Sequence, residues 1–174
     1  DVDIDLIGAT NVITGDFIGA GEAGADDLKI SQTGSTNTTA INVGASAATD
    51  DVKILETRVG SSGATTYTIG NAATVQDVSV TVDVVGDDID ITLVENSSST
   101  GSDKTTDIDI ATDSDDVDIA VTHTGAGAHK TKLLCTGSCA GSDFTMSQTG
   151  ANSTDVDLTV TNATSSDVDI TITD

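Results

Sequence analysis

The chain has 174 residues, a formal net charge of -23 from 29 acidic and 6 basic side chains, and 36% hydrophobic residues with only 2% aromatic. So acidic a balance excludes nucleic acid as a partner, because binding to phosphate backbones depends on Lys and Arg. No segment approaches the roughly 18 apolar residues that read as a membrane-spanning helix.

The predicted elements begin with Asp1-Val-Asp-Ile-Asp-Leu6, in which polar and apolar residues alternate strictly. Alternation at period two means a strand with one dry face and one wet face. The same beat returns at Asp88-Ile-Asp-Ile-Thr-Leu93, Asp107-Ile-Asp-Ile110, Asp116-Val-Asp-Ile-Ala-Val121, Asp155-Val-Asp-Leu-Thr-Val-Thr161 and Asp167-Val-Asp-Ile-Thr-Ile-Thr173. About fourteen strands are expected on this pattern. Their first inward-facing residues are Val2, Val12, Leu28, Ile41, Val52, Tyr67, Val78, Ile89, Ile108, Val117, Leu133, Phe144, Val156 and Val168. No apolar pattern at helical spacing is sustained, and clusters of Gly, Ser, Asn and Asp supply the turns in the absence of proline.

The commonest step between strands is about a dozen residues, so two steps give a closed coil of about 24 residues with two walls. The predicted fold is an all-β, β-solenoid of such two-strand coils, forming a single repetitive β domain over residues 1–174. A core between thin walls suits Val, Ile, Leu and Ala and needs few aromatics. The chain starts and stops inside a strand pattern, so the solenoid is expected to be uncapped at both ends. Val2, Ile4 and Leu6 at one end and Val168, Ile170 and Ile172 at the other are then the assembly ends. A β-sandwich or pilin-like subunit is the alternative, since evenly spaced short strands build sandwiches too.

Ile30-Ser-Gln-Thr-Gly-Ser-Thr-Asn-Thr-Thr-Ala40 and Met146-Ser-Gln-Thr-Gly-Ala-Asn-Ser-Thr154 resemble curlin-type (curli-like) repeats, whose signature is Gln-x-Gly-x-x-Asn followed by small residues. Gln32, Gly34 and Asn37 match that spacing; Gln148 and Gly150 match in the second copy, with Asn152 one place early. The resemblance implies a secreted subunit of cross-β solenoid fibrils in an extracellular, biofilm-type matrix. It also implies that Gln32, Asn37, Gln148 and Asn152 stack as hydrogen-bonded amide ladders between rungs.

Carboxylates stacked rung over rung lie about 4.8 Å apart and repel. Hard carboxylate oxygens suit calcium, and the densest groups are Asp113, Asp115, Asp116 and Asp118, and Asp87, Asp88 and Asp90. A hydrated acidic coat that requires no cofactor is the other reading of the same residues. Cys135-Thr-Gly-Ser-Cys139 flanks a turn and is expected to close as a disulfide. A zinc site with His123 and His129 is the competing arrangement, although its spacing fits no common finger. Glycosylation sequons occur at Asn37, Asn96, Asn152 and Asn162, all expected in accessible turns.

No nucleophile elbow, phosphate loop or zinc-protease motif is present, and carboxylate pairs recur on every rung without one standing out, so no enzyme is expected. The start at Asp1 without an initiator Met reads as a processed, secreted chain acting outside the cell. Three functions fit. The first is a structural protein, the subunit of an extracellular filament (matrix, attachment or sheath) that self-assembles head to tail as a homopolymer. The second is an adhesin or phage-fibre module, whose partner would be a surface glycan. The third is ice binding through Thr-x-Thr rows such as Thr159-Val-Thr161, Thr171-Ile-Thr173 and Thr122-His-Thr124.

Overall fold

The computed structural model describes residues 2–17, 26–44, 52–70, 78–96, 104–110, 114–136, 139–150, 153–162 and 164–173. All regular structure among them is β-strand: β1 (Val2–Ile7), β2 (Thr10–Phe17), β3 (Asp26–Thr33), β4 (Thr36–Val43), β5 (Val52–Val59), β6 (Ser62–Ile69), β7 (Val78–Val85) and β8 (Asp88–Asn96). These are followed by β9 (Lys104–Ile110), β10 (Ser114–Asp115), β11 (Val117–Thr124), β12 (Ala128–Cys135), β13 (Cys139–Ala140), β14 (Asp143–Thr149), β15 (Ser153–Val160) and β16 (Asp167–Thr173).

Two seven-stranded sheets form the walls. One runs β1-β3-β5-β7-β9-β12-β15 and the other β2-β4-β6-β8-β11-β14-β16, with β10 and β13 as a small extra pair. Every pairing is parallel, and each strand binds the strand one coil further on, at a spacing of about 26 residues. A parallel pair needs a long crossover, and here the crossover is the opposite wall plus its two corners. The fold is thus the expected β-solenoid, with a coil slightly longer than the expected 24 residues because most wall strands run to eight residues.

Alternation places one set of side chains between the walls. In β5, Val52, Ile54, Glu56 and Arg58 are buried while Lys53 and Thr57 are exposed. The core contains Ile30, Ile54, Val80, Ile91 and Ile108, with Tyr67 and Phe144 as its aromatic members. At about 25 cal/mol per Å² of apolar area, each fully buried Val, Leu or Ile contributes roughly 1.5–3 kcal/mol. One expected phase is reversed. Val12 is 60% exposed, and its neighbours Asn11 and Ile13 point inward.

Gly8, Gly34, Gly60 and Gly86 stack at one corner, where the ladder continues without a break: Gly8 N donates to Thr33 O, Gly34 N to Val59 O and Gly60 N to Val85 O. A Cβ on Gly34 would collide with Gly8 O, and one on Gly60 with Gly34 O. Only glycine lets consecutive rungs approach this closely at the corner.

Candidate functional site

Among the described residues the amide ladder exists at one place. Asn11 and Asn37 occupy the same inward column on adjacent strands, and Asn11 Nδ2 donates to Asn37 Oδ1 at 2.9 Å. Each also ties the corner, Asn11 to Thr33 O at 3.0 Å and Asn37 to Val59 O at 3.1 Å. Asn11 was not among the expected ladder residues. Its signal was its place one coil before Asn37. Gln32 and Gln148 are buried but have no amide above or below them: Gln32 lies between Leu6 and Arg58, and Gln148 between His123 and Ile172. Gln148 instead reaches across the core to Thr131 Oγ1 at 3.0 Å, and Gln32 donates to Thr38 O at 3.3 Å. Asn152 lies outside the described residues.

The same geometry corrects one expectation about glycosylation. Asn37 is 0% exposed, because its amide is committed to the ladder inside the walls, so it is not an accessible turn acceptor. Asn96 ends β8 half-buried, and Asn162 is exposed with φ of 55° in the bend after β15.

Two clusters of ionisable groups lie between the sheets. In the first, Glu56 accepts from Thr39 (2.8 Å), Thr65 (3.1 Å) and Tyr67 (3.0 Å), while Arg58 donates to Thr65 Oγ1 at 2.8 Å. Burial lowers the Arg58 pKa against the pull of Glu56, and burial together with Glu56 raises that of Tyr67. In the second, Glu95 lies 3.3 Å from His123 Nε2, Thr106 Oγ1 lies 3.0 Å from that nitrogen, and Lys104 Nζ donates to Ala126 O at 3.2 Å. The His123 and His129 rings meet edge to face at 5.5 Å. Burial pushes the Glu95 carboxyl up to about 8, although Lys104 opposes it. Burial, then His129 and Lys104, lowers His123 to about 3. Both groups are therefore neutral near pH 7, and their contact is a polar one rather than an ion pair. These clusters fill core positions in the walls, and none of their ionisable residues is more than 2% exposed. Sequence reading missed Glu56, Arg58, Glu95 and Lys104, since a charged residue in an alternating strand is ordinarily placed on the wet face.

The aspartates form a row. Asp90 pairs in register with Asp118, Asp118 with Asp143, and Asp143 with Asp167. Burial and the neighbouring Asp118, Asp88 and Asp116 raise the Asp90 pKa. Asp116 takes a φ of 68° at the bend before β11, Asp87 lies at the tight corner before β8, and Asp88 opens that strand. Asp115 is placed by its backbone on β10, paired with Ala140, and Asp113 lies outside the described residues. Among the described residues no group of three or more His, Cys, Asp or Glu side chains is placed to hold a metal ion.

Cys135 and Cys139 form the expected disulfide, with Cα atoms 6.5 Å apart. The zinc arrangement is overturned by it, because both thiols are consumed and the two histidines are held in the core cluster.

The remaining feature is the pair of open edges. β1 and β2 are the outermost strands at one end of the two sheets, and β15 and β16 at the other. Inward positions that are at most 7% exposed on the inner strands are 41% exposed at Val2, 43% at Val168, 46% at Ile170 and 50% at Ile172. Ile4 and Leu6 are half-covered, as are Val156, Leu158 and Val160.

No family model, curated protein or solved structure matches this chain.

Proposed function

We propose that this chain is a structural subunit of an extracellular filament, growing head to tail by placing the last coil of one copy on the first coil of the next. The observation that carries it is the exposure of core-type residues on both edges, Val2 at one end and Val168, Ile170 and Ile172 at the other. An unpaired edge strand with an apolar face is a template for another strand. Contact between two different faces of the same molecule makes an open fibre when its rotation does not close into a ring, as when each copy continues the coil along its own axis.

Supporting features are the repeat architecture, the Asn11–Asn37 ladder of the kind that curlin-like fibres use, and the Cys135–Cys139 disulfide, which belongs to oxidising compartments. The partner is the chain itself, the work is mechanical rather than catalytic, and the acidic faces are a hydrated coat. Negative-stain microscopy of the purified chain tests this. Unbranched filaments of indefinite length are expected, and discrete particles at every concentration and salt would overturn it.

A further inference from the structure

We propose that two copies join in the register that continues the coil, and that a like-charge contact between described residues of this joint makes filament growth depend on salt. The inference rests on the filament function above and specifies its interface. Along the first sheet one inward column runs Val2, Leu28, Ile54, Val80, Thr106, Thr131 and Val156. Its next member is Val2 of a second copy. The same continuation sets Leu158 over Ile4 and Val160 over Leu6.

On the second sheet the column through Ile13, Thr39, Thr65, Ile91, Ile119, Phe144 and Val168 returns to Ile13. Ile170 then falls over Gly15, where an added Cβ meets no atom within 4 Å. The inward side of the joint is apolar throughout these positions, and the space above Gly15 receives the one large side chain that faces a glycine.

The outward side differs. One outward column of the first sheet reads Asp3, Lys29, Leu55, Thr81, Asp107, Lys132 and Asp157. Inside the chain its charges meet opposite signs, Lys29 with Asp3 at 3.6 Å and Lys132 with Asp107 at 2.9 Å, and Lys132 stands between Asp107 and Asp157. At the joint the alternation fails. Asp157 comes beside Asp3 of the next copy, so the order becomes Lys132, Asp157, Asp3, Lys29. The other outward positions described there are mixed: Thr159 faces Asp5, Asp169 faces Thr14, and Thr171 faces Asp16. Paired strands lie about 4.8 Å apart, so the two exposed carboxylates repel directly, on top of the repulsion between two bodies of charge -23. Salt screens that contact and leaves the apolar joint intact.

The test compares Asp3→Asn and Asp157→Asn, singly and together, with Asp83→Asn, which removes the same charge from an inner rung. The measured quantity is the protein left in solution after filaments are sedimented, at about 20 mM and about 1 M sodium chloride, where the Debye length shrinks to about 3 Å. At low salt each joint variant is expected to leave about two- to fivefold less protein in solution than Asp83→Asn, with the double variant adding little and the gap closing at high salt. If filaments form but the joint variants match Asp83→Asn at both salts, the register is overturned and the filament function stands. If nothing sediments from any variant at either salt, the filament function itself is overturned.

Discussion

Replacing Glu95 with Gln should make the protein more stable than wild type in mild alkali. Glu95 is fully buried beside His123 and Thr106, and its carboxyl is raised from 4.5 to about 8. A group whose folded pKa lies above its unfolded value stabilises the fold fully below the unfolded value, and that stabilisation is lost as pH rises through the folded one. For Glu95 the loss runs from about pH 4.5 to about pH 8. His123 has the opposite sign. Its pKa falls from 6.5 to about 3, so its contribution is complete above pH 6.5 and is lost as pH drops toward 3. The two slopes offset each other between roughly pH 4.5 and 6.5, which makes that window the stability maximum set by this cluster. Each pKa unit is worth about 1.4 kcal/mol, so wild type loses on the order of 4 kcal/mol from Glu95 between pH 5 and 9. Gln keeps an acceptor for Thr106 and an N–H for His123 Nε2 but cannot ionise. Urea unfolding midpoints measured from pH 5 to pH 9 supply the comparison, since urea adds no ionic screening. The two proteins should match within about 1 kcal/mol at pH 5 and diverge from there up to about pH 8, above which the gap stays constant, with Glu95→Gln the more stable. Parallel curves across the whole range would refute this reasoning and mean that Glu95 is ionised in the native state with Lys104 as its counterion.

Asn37→Ala should cost about 1–3 kcal/mol by urea unfolding, because it removes one of the two acceptors of the buried Asn11 Nδ2 and the tie to Val59 O. Intact mass of the chain produced in a glycosylating host should show no glycan at Asn37, whose amide is buried. Gly34→Ala should destabilise by at least about 1–3 kcal/mol, since the added Cβ meets the Gly8 carbonyl of the preceding rung. Replacing both Cys135 and Cys139 with Ser should lower stability by only about 2 kcal/mol, because the loop they close is four residues in sequence separation.

The strand walls were legible because alternation survives wherever apolar residues dominate one face. Val52, Val78, Ile89 and Val117 were placed inward from sequence and are buried. Alternation is silent where polar residues occupy the inner face. Around Val12 and Ile13 two apolar residues are adjacent, so either phase reads well, and the Asn11–Asn37 bond decides it against Val12. Glu56, Glu95 and Lys104 were missed for the same reason, since each sits at a core position that composition assigns to the surface. What stabilises them is a partner on the facing wall, such as Tyr67 or Thr39 for Glu56, and such a pairing is invisible until the walls are stacked. Strand spacing alone gives too short a coil. The corner glycines Gly8, Gly34, Gly60 and Gly86 recur at the true interval of about 26 residues. The disulfide needed no tertiary information, because a short loop carries both cysteines.

X-ray diffraction from an aligned bundle of filaments tests the central claim most directly. A solenoid continued from copy to copy stacks all its strands along the filament axis, so a reflection near 4.8 Å should lie on the meridian and one near 10 Å, from the facing walls, on the equator. A 4.8 Å reflection on the equator, or its absence from filaments that diffract otherwise, would contradict axial continuation of the coil.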